Sequence, residues 1–211
     1  MSKECEAIHA LAWNLDRHGF PFSESSFPLN GIYILFEKEE NGHGGERIVR
    51  VGTHTGYKQL RSRLKQHFLN ENKDRSIFRK NIGRSLLKKS NDPFLAFWEL
   101  DLTTKEAKNK YLNVIDFDYQ KLIELRVSQY IQNSFSFCVF EVNDKNDRLE
   151  IESKIISTIS WCDVCGPSDH WLGGFSPKEK ITKSGLWLVN ELYKIPYDAS
   201  SLEVLAKLMK R

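Results

Sequence analysis

The chain has 211 residues, 40% of them hydrophobic, enough to bury one sizeable core without disulfide or metal support. No run approaches the roughly eighteen apolar residues a membrane span needs, and the opening Met1-Ser2-Lys3-Glu4-Cys5-Glu6 lacks a basic-then-apolar export pattern, so a membrane partner is not expected. Four cysteines in a leaderless chain are expected to stay reduced, and the protein is expected to be soluble and cytoplasmic.

The net charge of +3 is modest, but its distribution is uneven. Eleven Lys or Arg residues between Lys58 and Lys89 face only Glu71 and Asp74, which leaves the rest of the chain acidic. Such a block fits a surface that meets a polyphosphate backbone, and fits equally a pair of solvated Lys- and Arg-rich helices.

In chain order, Ile8, Leu11, Ala12 and Leu15 predict a helix over about 3–18, stopped by Gly19 and Pro21. Gly31 to Glu37 reads as a strand buried on both faces, and Arg47 to Thr53 as a second, joined by a loop longer than a tight two-residue turn. Leu60, Leu64 and Phe68 mark a helix, and Phe78, Ile82 and Leu86 the next. Residues 94–101 read as a third strand, Tyr119 to Ile131 as a helix, Phe135 to Val142 as a strand, and Arg148 to Trp161 as a helix. A short helix from about Ser200 to Lys210 closes the chain. The expected fold is α+β: a small central, mainly antiparallel sheet of three core strands flanked by helices, in a single domain.

Glu152 stands out because Leu149, Glu152, Ile156 and Ile159 share a face, and a carboxylate facing a core is costly unless paired or bound to a cation. The plainer fate is a helix-edge glutamate that reaches water or pairs with an arginine. Arg63 and His67, four apart, share a face of the first basic helix. Arg63 suits forked phosphate binding or ordinary surface charge, and His67 a site or a structural hydrogen bond. Tyr33 is a core aromatic or a phenol aimed into a cleft. Cys162 and Cys165 with His170 are half of a zinc site by spacing. No second pair follows, and Cys5 or Cys138 would complete it only by accident of folding, so structural zinc is not expected.

In this order the pieces resemble the GIY-YIG nuclease superfamily. Gly31-Ile32-Tyr33 lies in the first strand, and Arg50-Val51-Gly52 ends the second, where the family usually carries Tyr-Ile-Gly. Arg63-Leu64 with His67 follows on the first helix, and Glu152 stands on the later one. Ser76 to Arg79 and the segments from Trp171 and Ser184 are similar to a bacterial branch, and Arg50 in place of the second tyrosine is similar to some restriction enzymes of the superfamily. The resemblance divides the chain into a core over 29–160, an insertion at about 90–134, an N-terminal helix at 3–18 and a C-terminal extension over 161–211.

It implies a DNA endonuclease with Tyr33 as general base, Arg63 on the phosphate, and Glu152 ligating Mg²⁺ or Mn²⁺. Arg50 and His67 assist, and Asn190 is the best match for the family's asparagine, with His170 a weaker one. Lys58, Arg61, Lys65, Arg79, Lys80 and Arg84 would track the DNA backbone. A double-strand cut by one active site per chain favours a homodimer. The other reading is a nucleic-acid-binding protein of the same fold whose catalysis has decayed.

Overall fold

The computed structural model describes residues 2–210. The apolar run that begins at Gly31 becomes the centre of a four-stranded antiparallel sheet built from β1 (His18–Gly19), β2 (Gly31–Gly42), β3 (Gly45–Gly52) and β4 (Phe135–Glu141), in the order β1-β4-β2-β3. Because side chains alternate along a strand, β2 feeds two cores at once. Tyr33 and Leu35 enter one with Val49, Leu60, Leu64, Phe68, Phe78 and Phe137, while Ile32, Ile34 and Phe36 enter the other with Ile8, Ile48, Cys138, Ile155 and Ile159. Each fully buried side chain of this kind contributes about 1.5–3 kcal/mol.

Helices cover both faces. The second core is closed by α1 (Ser2–Trp13), α7 (Lys145–Ser160) and α9 (Ala199–Met209), and the first by α2 (Leu60–Phe68), α3 (Ile77–Lys89) and α6 (Phe117–Ser134). Local chemistry sets their starts. Ser76 caps α3 by accepting from the Arg79 N–H, Asp116 caps α6, Asp144 caps α7, and Asp198 and Ser201 form a reciprocal capping box on α9. Gly185, left-handed at φ 68°, ends the short α8 (Glu179–Ser184).

Three sequence expectations are corrected. The first helix ends at Trp13, and His18–Gly19 instead pairs with Ser136 and Phe137 as a fourth, minimal strand. The β2–β3 connection is the tight kind: Gly42 pairs with Gly45, and His43 and Gly44 both have positive φ (55° and 85°), the mark of a type I′ turn. The extra length lies in a bulge near Glu39, also at positive φ (70°).

Residues 94–101 are not a strand. Asp92 accepts from the Phe94 N–H and opens the short helix α4 (Leu95–Trp98), and the indole of Trp98 donates to the Lys80 carbonyl at 2.9 Å. A short apolar run carries no period that separates strand from helix, and here the packing of Trp98 against α3 decides. The rest of the predicted insertion holds α5 (Lys105–Tyr111) and α6. No helix among the described residues is long and apolar enough to cross a membrane.

Candidate active site

The hairpin register places Tyr33 opposite Gly52. The close approach requires glycine, since a Cβ there would lie 2.1 Å from the Tyr33 hydroxyl oxygen. That hydroxyl is hydrogen-bonded to His67 Nε2 at 2.8 Å, and His67 Nδ1 to Ser76 Oγ at 2.7 Å, so β2, α2 and the cap of α3 are joined by one polar chain. His67 is wholly buried. Desolvation, reinforced by the charges of Arg50, Arg63 and Arg79, pushes its pKa well below 6.5 and keeps the ring neutral.

Beyond Gly52 the chain leaves the sheet and becomes a cavity wall. Thr53, His54 and Thr55 face Gln59, Ser62, Arg63 and Gln66 across a space of about 310 Å³, with Leu149 and Glu152 from α7 on its floor. Arg63, Leu149 and Glu152 also border a neighbouring cavity of about 430 Å³ that includes Arg50, Asn81, Trp187 and Asn190. Arg63 and Glu152 therefore belong to both halves of one cleft. Arg63 is steadied by Gln66 Oε1 at 3.1 Å and the Arg75 carbonyl at 3.3 Å.

Glu152 is partly buried, and its Oε1 accepts the Thr53 N–H at 3.0 Å. Its pKa lies above the usual carboxylate value. Loss of water is the main cause, opposed by Arg50 and the Thr53 N–H, while Glu191 adds to the rise and Arg63 opposes it. Arg50 is buried, donates to the Trp187 carbonyl and lies 5.2 Å from the centre of the Phe78 ring. Its Nε has no hydrogen-bond partner among the described residues.

Of the sequence candidates, Arg63, Glu152, Arg50 and Asn190 share the cleft, and Asn190 is exposed there. Tyr33 and His67 sit behind its wall rather than on it, both at 0% exposure. His170 lies elsewhere, beside Glu37 and Trp171.

The expected backbone-tracking set needs a larger correction. Arg79, Lys80 and Arg84 are buried and paired inward: Arg79 with Glu124, Lys80 with Asp74, and Arg84 with Glu99. Glu124 on α6, Asp74 just before α3 and Glu99 just after α4 draw the three cations inward, since buried or half-buried acids and carbonyls there need partners. Lys58 is exposed, Arg61 holds the carbonyls of Ser25 and Phe27, and Lys65 pairs with Glu24 at 2.6 Å.

Sequence reasoning missed the other walls. Gln59, Ser62, Arg63 and Gln66 recur at three and four along α2, a polar stripe legible by the same count that identified the apolar one. Nothing in sequence marked Thr53, His54 or Glu191, which reach the site from a loop, a strand end and a left-handed turn residue (Glu191, φ 63°). The expectation about cysteines also needs correction: Cys5, His43, Cys162 and Cys165 converge, whereas Cys138 is buried within β4 and His170 is not among them.

The fold is thus α+β, an antiparallel hairpin flanked by helices, with an arginine and a glutamate lining one open polar cleft at its end. The sequence pattern of the GIY-YIG domain matches residues 19–211, and the chain belongs to that family, whose members are generally divalent-metal-dependent nucleases. The matched span takes in both the segment around 90–134 and the C-terminal part of the chain. No curated protein and no solved structure matches the chain.

Proposed function

We propose that this protein is a metal-dependent DNA endonuclease that hydrolyses phosphodiester bonds in the cleft between α2 and α7. The observation that carries this reading is that Arg63 and Glu152, from helices far apart in sequence, border the same open cavity while Glu152 is oriented by the Thr53 N–H. One hard carboxylate in a polar space with room for solvent fits a largely hydrated Mg²⁺ or Mn²⁺. When bound, such a cation supplies Lewis-acid stabilisation of the phosphoryl group and the leaving oxygen.

The chain's own residues do the rest. Arg63 binds the non-bridging oxygens in a forked geometry. The neutral ring of His67, in the tautomer whose Nδ1–H donates to Ser76, accepts from the Tyr33 hydroxyl and makes the phenol oxygen a better proton acceptor. Because Tyr33 has no exposed surface, the proton of the attacking water reaches the phenol oxygen through a second water at the Gly52 edge, while the phenol's own proton passes to His67 Nε2. Asn190, on the rim, contacts the substrate backbone, and Arg63 in the cleft with the exposed Lys58 beside the start of α2 attracts the phosphates. A double-strand break requires two such sites and so a dimer.

Mg²⁺- or Mn²⁺-dependent nicking of supercoiled plasmid is the expected activity. Arg63→Ala and Glu152→Gln each lower the rate on the order of 10²–10³, with the fold intact by circular dichroism. The burial of Tyr33 favours a second reading, a nucleic-acid-binding protein without catalysis. Salt-sensitive DNA binding that survives Glu152→Gln, with no cleavage under either metal, decides for it.

A further inference from the structure

The cysteine cluster lies at the far end of the hairpin from the cleft. Seven residues separate Gly45 from Gly52, roughly 20–25 Å of strand, so the cluster takes no direct part in the cleft's chemistry. Its members come from three places: Cys5 from α1, His43 from the β2–β3 turn, and Cys162 with Cys165 from the segment after α7. One ligand atom from each lies within 4.8 Å of all the others.

The spacings suit one particular occupant. Tetrahedral zinc, with Zn–S of about 2.3 Å and Zn–N of about 2.0 Å, separates its ligand atoms by about 3.8 Å between sulfurs and about 3.5 Å between sulfur and nitrogen. Here Cys5 Sγ and Cys165 Sγ are 3.5 Å apart, and Cys162 Sγ and His43 Nε2 are 3.4 Å apart. All four cysteines of the chain are free thiols, and three of them meet at this one point.

The surrounding backbone is shaped to bring them there. Cys162 and Cys165 stand in one C-x-x-C turn, the spacing by which a short turn presents two sulfurs to one metal. Gly42 allows the hairpin to close on that turn, because a Cβ on it would lie 2.7 Å from the Cys165 Cβ. His43 occupies a left-handed position at the hairpin tip, where Asn, Asp or Gly is the usual residue. His9 lies beside the cluster but has both ring nitrogens engaged, Nδ1 with the Cys5 carbonyl at 2.9 Å and Nε2 with the Ile48 N–H at 3.0 Å. Its ring packs against that of His43, the two tilted by 54° with centroids 5.0 Å apart.

We propose that Cys5, His43, Cys162 and Cys165 form a structural Cys₃His zinc site that fastens the N-terminal helix and the post-α7 turn to the tip of the hairpin. Four protein ligands close the tetrahedron and leave no position for substrate, which is the arrangement of a structural rather than a catalytic zinc. Binding releases the thiol protons, and it links segments that are 160 residues apart in the chain.

The full-length protein, produced with added zinc and purified without chelator, is expected to contain one equivalent of zinc. Exchange for Co²⁺ is expected to give the visible and near-ultraviolet bands of a tetrahedral cobalt thiolate, and chelation to lower the melting temperature until zinc is restored. His43→Asn keeps a residue suited to the left-handed turn, so it folds, and it is expected to weaken Co²⁺ binding by more than the roughly 100-fold seen for outer-shell changes. Cys138→Ser leaves metal content unchanged. The proposal is overturned by a reduced protein that takes up neither metal, by disulfides within the cluster in freshly isolated protein, or by unaltered Co²⁺ affinity and spectrum in His43→Asn.

Discussion

Arg79→Met tests where the basic block points. The Arg79 guanidinium is at 0% exposure and binds Glu124 Oε2 through Nε at 3.2 Å and Nη2 at 2.8 Å. It also donates to the Glu124 carbonyl at 3.0 Å, Ser128 Oγ at 2.8 Å and the His67 carbonyl at 3.2 Å. Removing it strands a carboxylate that is itself only 4% exposed, a loss of about 3–5 kcal/mol. Against a total stability of about 5–15 kcal/mol this is a large share. At about 2–4 °C per kcal/mol for a chain of this size, the melting temperature falls by roughly 6–20 °C. The loss shrinks toward pH 5, because burial already raises the Glu124 pKa and the stranded acid can take up a proton. Thermal and urea unfolding at pH 5 and 8 measure it, and Arg79→Met with Glu124→Leu is expected to recover most of the loss, since a well-packed apolar pair replaces a buried ion pair at little cost. If Arg79→Met leaves the unfolding midpoint unchanged and weakens DNA binding instead, the side chain is a surface contact and the inward assignment fails.

Gly52→Ala is expected to cost about 1–3 kcal/mol by overpacking and to lower cleavage by pushing the Tyr33 hydroxyl away from His67, because the new methyl lies within 2.1 Å of the oxygen and the sheet holds both residues; a melting curve and a nicking assay that both match the parent would refute it. His67 is neutral when folded and its pKa is depressed, so the unfolded chain takes up the proton first as pH falls below about 6.5. Its contribution to stability is complete above that pH and is lost below it, at no more than about 1.4 kcal/mol per pH unit. Urea midpoints from pH 8 to 5 should fall more steeply in the parent than in His67→Gln, and parallel slopes would count against a buried neutral ring.

What could be read from the sequence was whatever depends on neighbours in the chain. The unbroken apolar run of Ile32 to Phe36 predicted a strand buried on both faces, and the stripe of Leu149, Glu152 and Ile156 singled out one carboxylate that lines the cleft; both follow from local pattern. What could not be read depends on partners distant in sequence. Lys58 and Arg79 look alike within the basic block, yet one is exposed and the other buried, because Glu124, forty-five residues on, stands over α3. The same limit hid the meeting of Cys5 and His43 with the later C-x-x-C turn: the spacing proclaimed half a site, and only the closed hairpin supplied the other half. The tight turn itself was obscured because the bulge near Glu39 gave the segment the length of a loop.

Arg50 shows how a departure from a family pattern can be absorbed by electrostatics. A tyrosine at the end of β3 would bring a neutral hydroxyl; arginine brings a permanent charge to a place with little water, held by the Trp187 carbonyl and the face of Phe78. That charge acts on two titrating groups in the same direction. It is the largest influence lowering the Glu152 pKa, countering the desolvation that would otherwise favour the protonated acid, and it is the first-ranked charge keeping the His67 ring neutral. The field thus favours an ionised carboxylate in the cleft and a neutral imidazole behind its wall, the pattern that the proposed cation ligand and proton acceptor would require. Under the proposed function the arginine acts on the site through its field across the buried wall, and its Trp187 and Phe78 contacts are what hold that charge in place.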